Sequence, residues 1–230
     1  MKLEAMTLEQ ALEAGQKYSA QGEYPEAREA YARAAQLGSK EAQAMLGYYL
    51  MEGIGGEKDI PGGLEQLEAA AQAGEERAQM AAATLFHEGT VVPADIEKAV
   101  QYYQMAAGRG NLTANTTLAA LYAEGCGVPK DESLAFELYR FSAERGDMIA
   151  IFNVADFYYS GRYVDQNYET ALKLYLHPAH AGMAQAQYNL GLMYRDGLGA
   201  PADKEQAAYW LGQAAAQGME KAAVLLRELE

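Results

Sequence analysis

Glycine returns every 36 residues along this chain. Gly38, Gly74, Gly110, Gly146, Gly182 and Gly218 form one series, and Gly53, Gly89, Gly125, Gly161 and Gly197 form a second at the same interval. Four residues after each glycine of the first series stands an alanine: Ala42, Ala78, Ala114, Ala150, Ala186 and Ala222. A fixed period in this range marks a chain built by stacking one supersecondary unit on the next. Each unit leaves an apolar face that only its neighbour covers, so the fold is a solenoid and its stability is a chain of nearest-neighbour terms.

The repeats read as pairs of helices. In the clearest copy, Ala186, Leu190 and Tyr194 recur at helical spacing as an apolar face, and Gly191 lets a partner helix approach. Gly197 supplies the positive φ that closes the helix, and Asp203 caps the next one, which carries Ala207, Trp210, Leu211, Ala214 and Ala215. Asp59, Asp95 and Asp131 hold the same capping place in other copies, and Asn167 replaces them in one. Ahead of the repeats, Thr7 and Gln10 are spaced as a capping box, Gly22 ends a first helix and Pro25 opens a second. Ala27, Tyr31 and Ala34 mark that second helix's buried stripe. Residues 219–230 read as a lone closing helix.

Charge narrows the partners. Over 230 residues the formal net charge is −14, which disfavours phosphate backbones and anionic lipid and suits a basic or amphipathic protein or peptide. The single cysteine, Cys126, excludes an intramolecular disulfide. No apolar run is long enough to span a bilayer. Met1 to Met6 reads as acidic and amphipathic rather than as a signal peptide, so a cytoplasmic location is the expectation, with a trimmed secreted form the alternative.

The first unit, with Gly15, Tyr18, Gly22, Tyr24, Ala27, Tyr31 and Ala34, resembles the tetratricopeptide pattern. The run from Ala186 to Gly199, followed by Asp203, Ala207, Trp210, Ala214, Ala215 and Gly218, resembles the Sel-one-like repeat, a longer-looped relative. The resemblance implies a right-handed superhelical all-α solenoid of antiparallel helix pairs. It gives one domain over 1–230: a tetratricopeptide-like unit at 7–38, five repeats over 39–218 and a capping helix at 219–230. It implies that the first helix of each pair lines an inner groove. It also implies an adaptor or regulator of bacterial type, in some members an immunity protein against a secreted toxin. A cysteine-rich branch is linked to β-lactam binding, but the paired cysteines are missing here, so that link does not transfer.

Two repeats depart from the pattern. Gly62-Gly63 stand where others begin a helix with alanine, which predicts a looser loop. In the fourth repeat Arg162-Tyr163-Val164 replaces a glycine-containing tip, and His177-Pro178-Ala179-His180 replaces the usual Ala-Ala helix end. Pro178 is expected to break or kink that helix. His177 and His180 share a helical spacing that suits a hydrolase-like enzyme, the alternative to a binding protein, but a zinc set is incomplete and no metal or cofactor is expected. His87 beside Glu88 reads as a solvated polar pair. The loop Gly53 to Lys58 lacks the ending a phosphate loop requires and reads as a connector.

One pattern points to function. Glu52, Glu88, Glu124 and Asp196 each precede a helix-closing glycine, with Ser160 in the same place in the fourth repeat. Carboxylates there oppose the helix macrodipole, so helix stability alone does not favour them. The solenoid reading puts them in register as a carboxylate ladder along the inner groove. Tyr48, Met51, Met80, Thr84 and His87 are expected on that face in the first two repeats. Phe152, Asp156 and Tyr159, then Tyr188, Leu192 and Arg195, are expected there in the last two. Packing of those aromatic residues between helices is the rival reading. The expected function is non-enzymatic binding of a protein or peptide in an acidic, aromatic groove, with neither nucleic acid nor membrane insertion involved.

Overall fold

A computed structural model describes residues 5–229. Met1 to Glu4, where part of the N-terminal reading falls, and Glu230, the expected end of the closing helix, lie outside the described residues. Thirteen helices and no strand are present among the described residues, an all-α helical-repeat solenoid. The chain divides into two compact units, Met1–Ala114 and Asn115–Glu230. The first holds α1 (Leu8–Gln21), α2 (Tyr24–Gln36), α3 (Lys40–Glu52), α4 (Ile60–Gln72), α5 (Glu76–Glu88) and α6 (Ile96–Ala107). The helix α7 (Leu112–Glu124) starts at its end and continues into the second. There follow α8 (Glu132–Ala143), α9 (Met148–Ser160), α10 (Tyr168–His180), α11 (Ala184–Asp196), α12 (Lys204–Ala216) and α13 (Glu220–Leu229).

The caps explain where the helices begin. The Thr7–Gln10 capping box forms, with the Gln10 amide donating to Thr7 Oγ1 at 3.4 Å and the Thr7 amide donating to Gln10 Oε1 at 3.1 Å. Asp59, Asp95, Asp131, Asn167 and Asp203 each accept from the amide three residues on, at 2.9 to 3.0 Å, so Asn167 does the same work as the aspartates. Ser39, Asn111 and Asp147 cap the first helix of their pairs through the amides of Ala42, Ala114 and Ala150. Those alanines and the matching Ala186 and Ala222 are fully buried. The closing glycines of α3, α5, α9 and α11 sit at φ between +67° and +71°, where an L side chain crowds the following carbonyl.

The cores form columns at the repeat interval. Tyr31, Leu67 and Tyr103 in the first unit are buried, as are Tyr139, Tyr175 and Leu211 in the second. Opposite them the helices of a pair cross through small residues. A Cβ on Gly47 would lie 2.8 Å from the Gly63 carbonyl, and one on Gly191 would lie 2.6 Å from Leu211 Cγ. The expected looser loop at Gly62-Gly63 is therefore corrected. Both glycines lie inside α4, where the Asp59 cap holds the Gly62 amide and Gly63 makes the close crossing with α3.

One further reading, the break at Pro178, is corrected. The helix α10 runs through Pro178 to His180 rather than breaking. Pro178 stands one turn from the end, so a single amide donor is lost, and its ring is fully buried. In α11 Leu190 and Met193 are both at 0% exposure, and Tyr194 packs half-buried against the same cluster. In α12 it is Ala214 that is buried, with Ala215 half-buried. The fourth repeat's altered tip turns on Tyr163, whose φ of +61° is the one positive value at a non-glycine residue among those described. Glycine takes positive φ at the matching positions 55, 127 and 199. The Val164 amide closes this turn onto the Arg162 carbonyl at 2.6 Å.

Candidate functional site

An apolar depression in the first unit lies on α3 and α5. Glu41, Ala44, Met45 and Tyr48 fall at i, i+3, i+4 and i+7 of α3, a single helical stripe. Tyr48 is 51% exposed and stands between two depressions. One is lined by Glu41, Ala44, Met45 and Met51 of α3 and by Arg77 and Ala81 of α5. The other is lined by Ser19, Tyr24, Tyr49, Ile54 and Gly55. Met51 is 8% exposed and forms floor, so its expected place on the open face is corrected.

Tyr48 is held in place from behind. Its ring meets Tyr49 edge-on at 6.3 Å, and Tyr49 in turn meets Tyr31 at 5.4 Å and Tyr24 at 6.4 Å. The Tyr49 hydroxyl donates to Ser19 Oγ at 2.7 Å. A rigid aromatic that is half in water costs little side-chain entropy when covered, which suits a contact anchor. Around it stand the carboxylates of Glu41 and Glu75, the exposed Glu52 and the cation of Arg77. Glu41 accepts from Gln16 Nε2 at 3.1 Å, and Glu75 accepts from the Ala78 amide.

The remaining expected groove residues behave differently. Thr84 and His87 turn into their own helix pair. His87 Nδ1 lies 3.2 Å from the Tyr103 hydroxyl, so His87 pairs with Tyr103 and not with Glu88. Burial pushes the Tyr103 phenol up, with Thr84 hydrogen-bonded to it. Phe152, Asp156 and Tyr159 gather around Tyr175 of α10: the rings meet it at 5.4 and 6.4 Å, and its hydroxyl donates to Asp156. Desolvation raises the Asp156 carboxyl above its ordinary value, against the pull of Tyr175 and Arg162. Tyr188 packs half-buried on the Leu211, Ala214 and Ala222 cluster, and Met80 and Leu192 are half-buried. The aromatic stripe of the second unit is thus packing for the most part.

The four carboxylates do stand exposed, each as the last residue of its helix. They are not equivalent. Arg195 binds Asp196 through two bonds of 2.6 and 2.8 Å and holds its carboxyl below the usual range. Ser160, in the same position, donates to the Asp156 carbonyl at 2.6 Å. The two histidines of α10 have separate surroundings. His180 meets the Trp210 ring edge-on at 5.1 Å, while His177 edges a cleft lined by α8 and α9. Among the described residues no group of three His, Cys, Asp or Glu side chains is placed to hold a metal. No helix among them is long and apolar enough to cross a membrane.

Sequence reasoning passed over Met45, Glu41 and Arg77. The signal was the stripe running back from Tyr48 by one and two turns, which was legible once Tyr48 was taken as its end.

Comparison with known proteins places these features in a family. The Sel1 repeat model matches residues 40–75, 77–111, 114–147, 149–176 and 184–219. A Sel1 repeat protein from Oxalobacter formigenes superposes with a TM-score of 0.77 at 28% identity, covering 94% of this chain and 86% of that one. The protective antigen c5321 of uropathogenic Escherichia coli, which displays the same fold, gives 0.82 at 29% identity over 95% of this chain. This chain spans 48% of that protein's length. No curated protein sequence matches. The repeat boundaries, the capped helix pairs and the matched segments agree, and the chain belongs to the Sel1 repeat family.

Proposed function

We propose that this chain, as Sel1 repeat proteins generally are, is a non-enzymatic protein-interaction module, and that the α3–α5 face of its first unit is the docking surface. The single observation behind this is Tyr48: a large aromatic, 51% exposed, fixed by Tyr49 and flanked by two depressions. Half-exposed, well-supported aromatics are where binding energy concentrates in interfaces. Glu41, Glu52 and Glu75 against Arg77 leave the surroundings acidic. The partner segment that fits carries apolar side chains to straddle Tyr48 and at least one lysine or arginine for the rim.

The test uses a synthetic amphipathic peptide with leucine and lysine at helical spacing, and a twin in which each lysine is glutamate. Fluorescence anisotropy should show binding of the first and not the second, weakening with salt. Tyr48→Ala should cost roughly 2 kcal/mol of binding, the scale of an interface anchor. Glu52→Lys should weaken association by a smaller factor. Equal binding of both peptides, or unchanged binding by Tyr48→Ala with an intact circular dichroism spectrum, rules out this surface.

A further inference from the structure

The last described helix, α13, keeps the register of the repeats with no described helix after it. Its residue Val224 is equivalent to Ala44, Met80, Thr116, Phe152 and Tyr188, each a multiple of 36 residues back. All five of those are buried or half-buried. Phe152 and Tyr188 show what covers them. Each packs on a cluster that contains the next repeat's fully buried alanine, Ala186 for one and Ala222 for the other. Val224 has no following repeat to cover it among the described residues and is 45% exposed. Leu225 beside it is half-buried on the Leu211, Ala214 and Ala222 cluster.

Charge frames this apolar pair. Lys221, Val224, Leu225 and Glu228 fall at i, i+3, i+4 and i+7, a single stripe with a cation at its start and a carboxylate at its end. Both charged residues are exposed, and neither forms an ion pair within the chain among the described residues. Arg195 of α11 is raised chiefly by its bond to Asp196 and less by the Glu228 charge, and its guanidinium stays committed to Asp196. Such a stripe is its own complement when reversed. Laid antiparallel on a copy of itself, with its midpoint between residues 224 and 225, it sets Val224 against Leu225 and Lys221 against Glu228 on each side of the axis. Laid parallel, it sets lysine on lysine and glutamate on glutamate, which is repulsive.

We propose that α13 is a self-association surface, on which a second copy of this chain lays its own α13 antiparallel across a two-fold axis between Val224 and Leu225. The occupant follows from self-complementarity, because Lys221 and Glu228 each meet the opposite charge in the reversed copy while Val224 and Leu225 cover one another. A two-fold contact is closed: the same patch serves both copies, so association stops at a dimer. The helix is 10 residues long, so the contact is small and the dimer is weak, forming as concentration rises. The proposal is independent of the α3–α5 surface, which lies in the other unit, and neither falls with the other.

The test is sedimentation equilibrium of the whole protein up to about 1 mM. Physiological ionic strength screens the repulsion between two chains of net charge −14. The unaltered protein should pass from monomer to dimer as concentration rises. Lys221→Glu and Glu228→Lys should each weaken the dimer about tenfold or more, because each turns both ion pairs into like-charge contacts. The two substitutions change the net charge in opposite directions, so a general charge effect would strengthen one dimer and weaken the other. The double variant, Lys221→Glu with Glu228→Lys, restores both pairs in the reversed copy and should dimerise as the unaltered protein does. Val224→Asp should abolish association. All three side chains are exposed, and circular dichroism checks that each variant keeps its helices. A single monomeric species throughout the range overturns the proposal, and so does a dimer that neither charge reversal weakens. A double variant as weak as the single ones excludes the antiparallel pairing and overturns it equally. If Val224→Asp does not fold, the unaltered protein and the charge reversals still decide.

Discussion

One half-buried carboxylate shows how the repeat's columns settle individual side chains. Asp156 is half-buried beside Tyr175, and desolvation raises it above the ordinary 3.8 while Tyr175 and Arg162 pull the other way. The Tyr175 phenol is pushed up by its own burial and by Asp156. Burial pushes Tyr139 up to about 12 and also raises Tyr159, and both sense the Asp156 charge as a smaller contribution. A carboxyl raised on folding binds its proton more tightly in the folded state. Its favourable contribution is therefore complete below the unfolded value and is lost as pH rises through the folded one. Asp156→Asn keeps an acceptor for the Tyr175 hydroxyl and removes the titration. In urea unfolding from about pH 3.5 to 7, the unaltered protein should lose stability relative to this variant as pH rises. Parallel curves would show that Asp156 keeps its ordinary acidity. Tyr175→Phe instead leaves the carboxylate buried without its donor, and should cost about 1–3 kcal/mol.

At the scale of helices, the pairs are set by how closely their small residues allow approach. Gly191 of α11 faces Leu211 of α12, whose side chain is fully buried and has no room to retreat. Gly191→Ala raises helix propensity by roughly 1 kcal/mol but places a methyl 2.6 Å from Leu211 Cγ. Overpacking of this kind costs about 1–3 kcal/mol, so the net change should be destabilising, seen as a lowered thermal midpoint. A raised midpoint would mean that α12 yields.

The same pairing explains which parts of the surface were legible in the sequence. Helix starts, helix ends and buried columns follow from local rules that repeat at 36 residues: the Asp caps, the closing glycines, the Ala and Tyr series. Exposure at the expected groove positions does not, because it depends on the residue across the pair. Opposite Tyr103 and Tyr175, the first helix supplies Thr84 and Asp156, which turn inward to the phenols. In the third of these pairs the buried column carries Leu67, which has no hydroxyl to offer, and Tyr48 stays in water. Periodicity marks the stripe, and the partner helix decides which of its members remain outside.

Taken as a whole, the molecule has its apolar contacts in successive clusters rather than in one core. One gathers Ala155, Tyr175, Leu190, Met193 and Trp210. Another gathers Ala11, Tyr31, Leu46 and Tyr49. The first lies within the second unit and the other within the first, so damage to one removes no contact from the other. In a stack of repeats, destabilisation reaches distant repeats only through the interfaces between them. Leu190→Ala removes a side chain at 0% exposure from the centre of its cluster, and should cost about 2–5 kcal/mol there. Native-state hydrogen exchange should report that loss in the amides of α9 to α12, with α1 to α4 keeping the protection they have in the unaltered protein. Equal loss along every helix would mean that the chain unfolds as one cooperative body. The nearest-neighbour account of its stability would then fail, even with every helix pair as described.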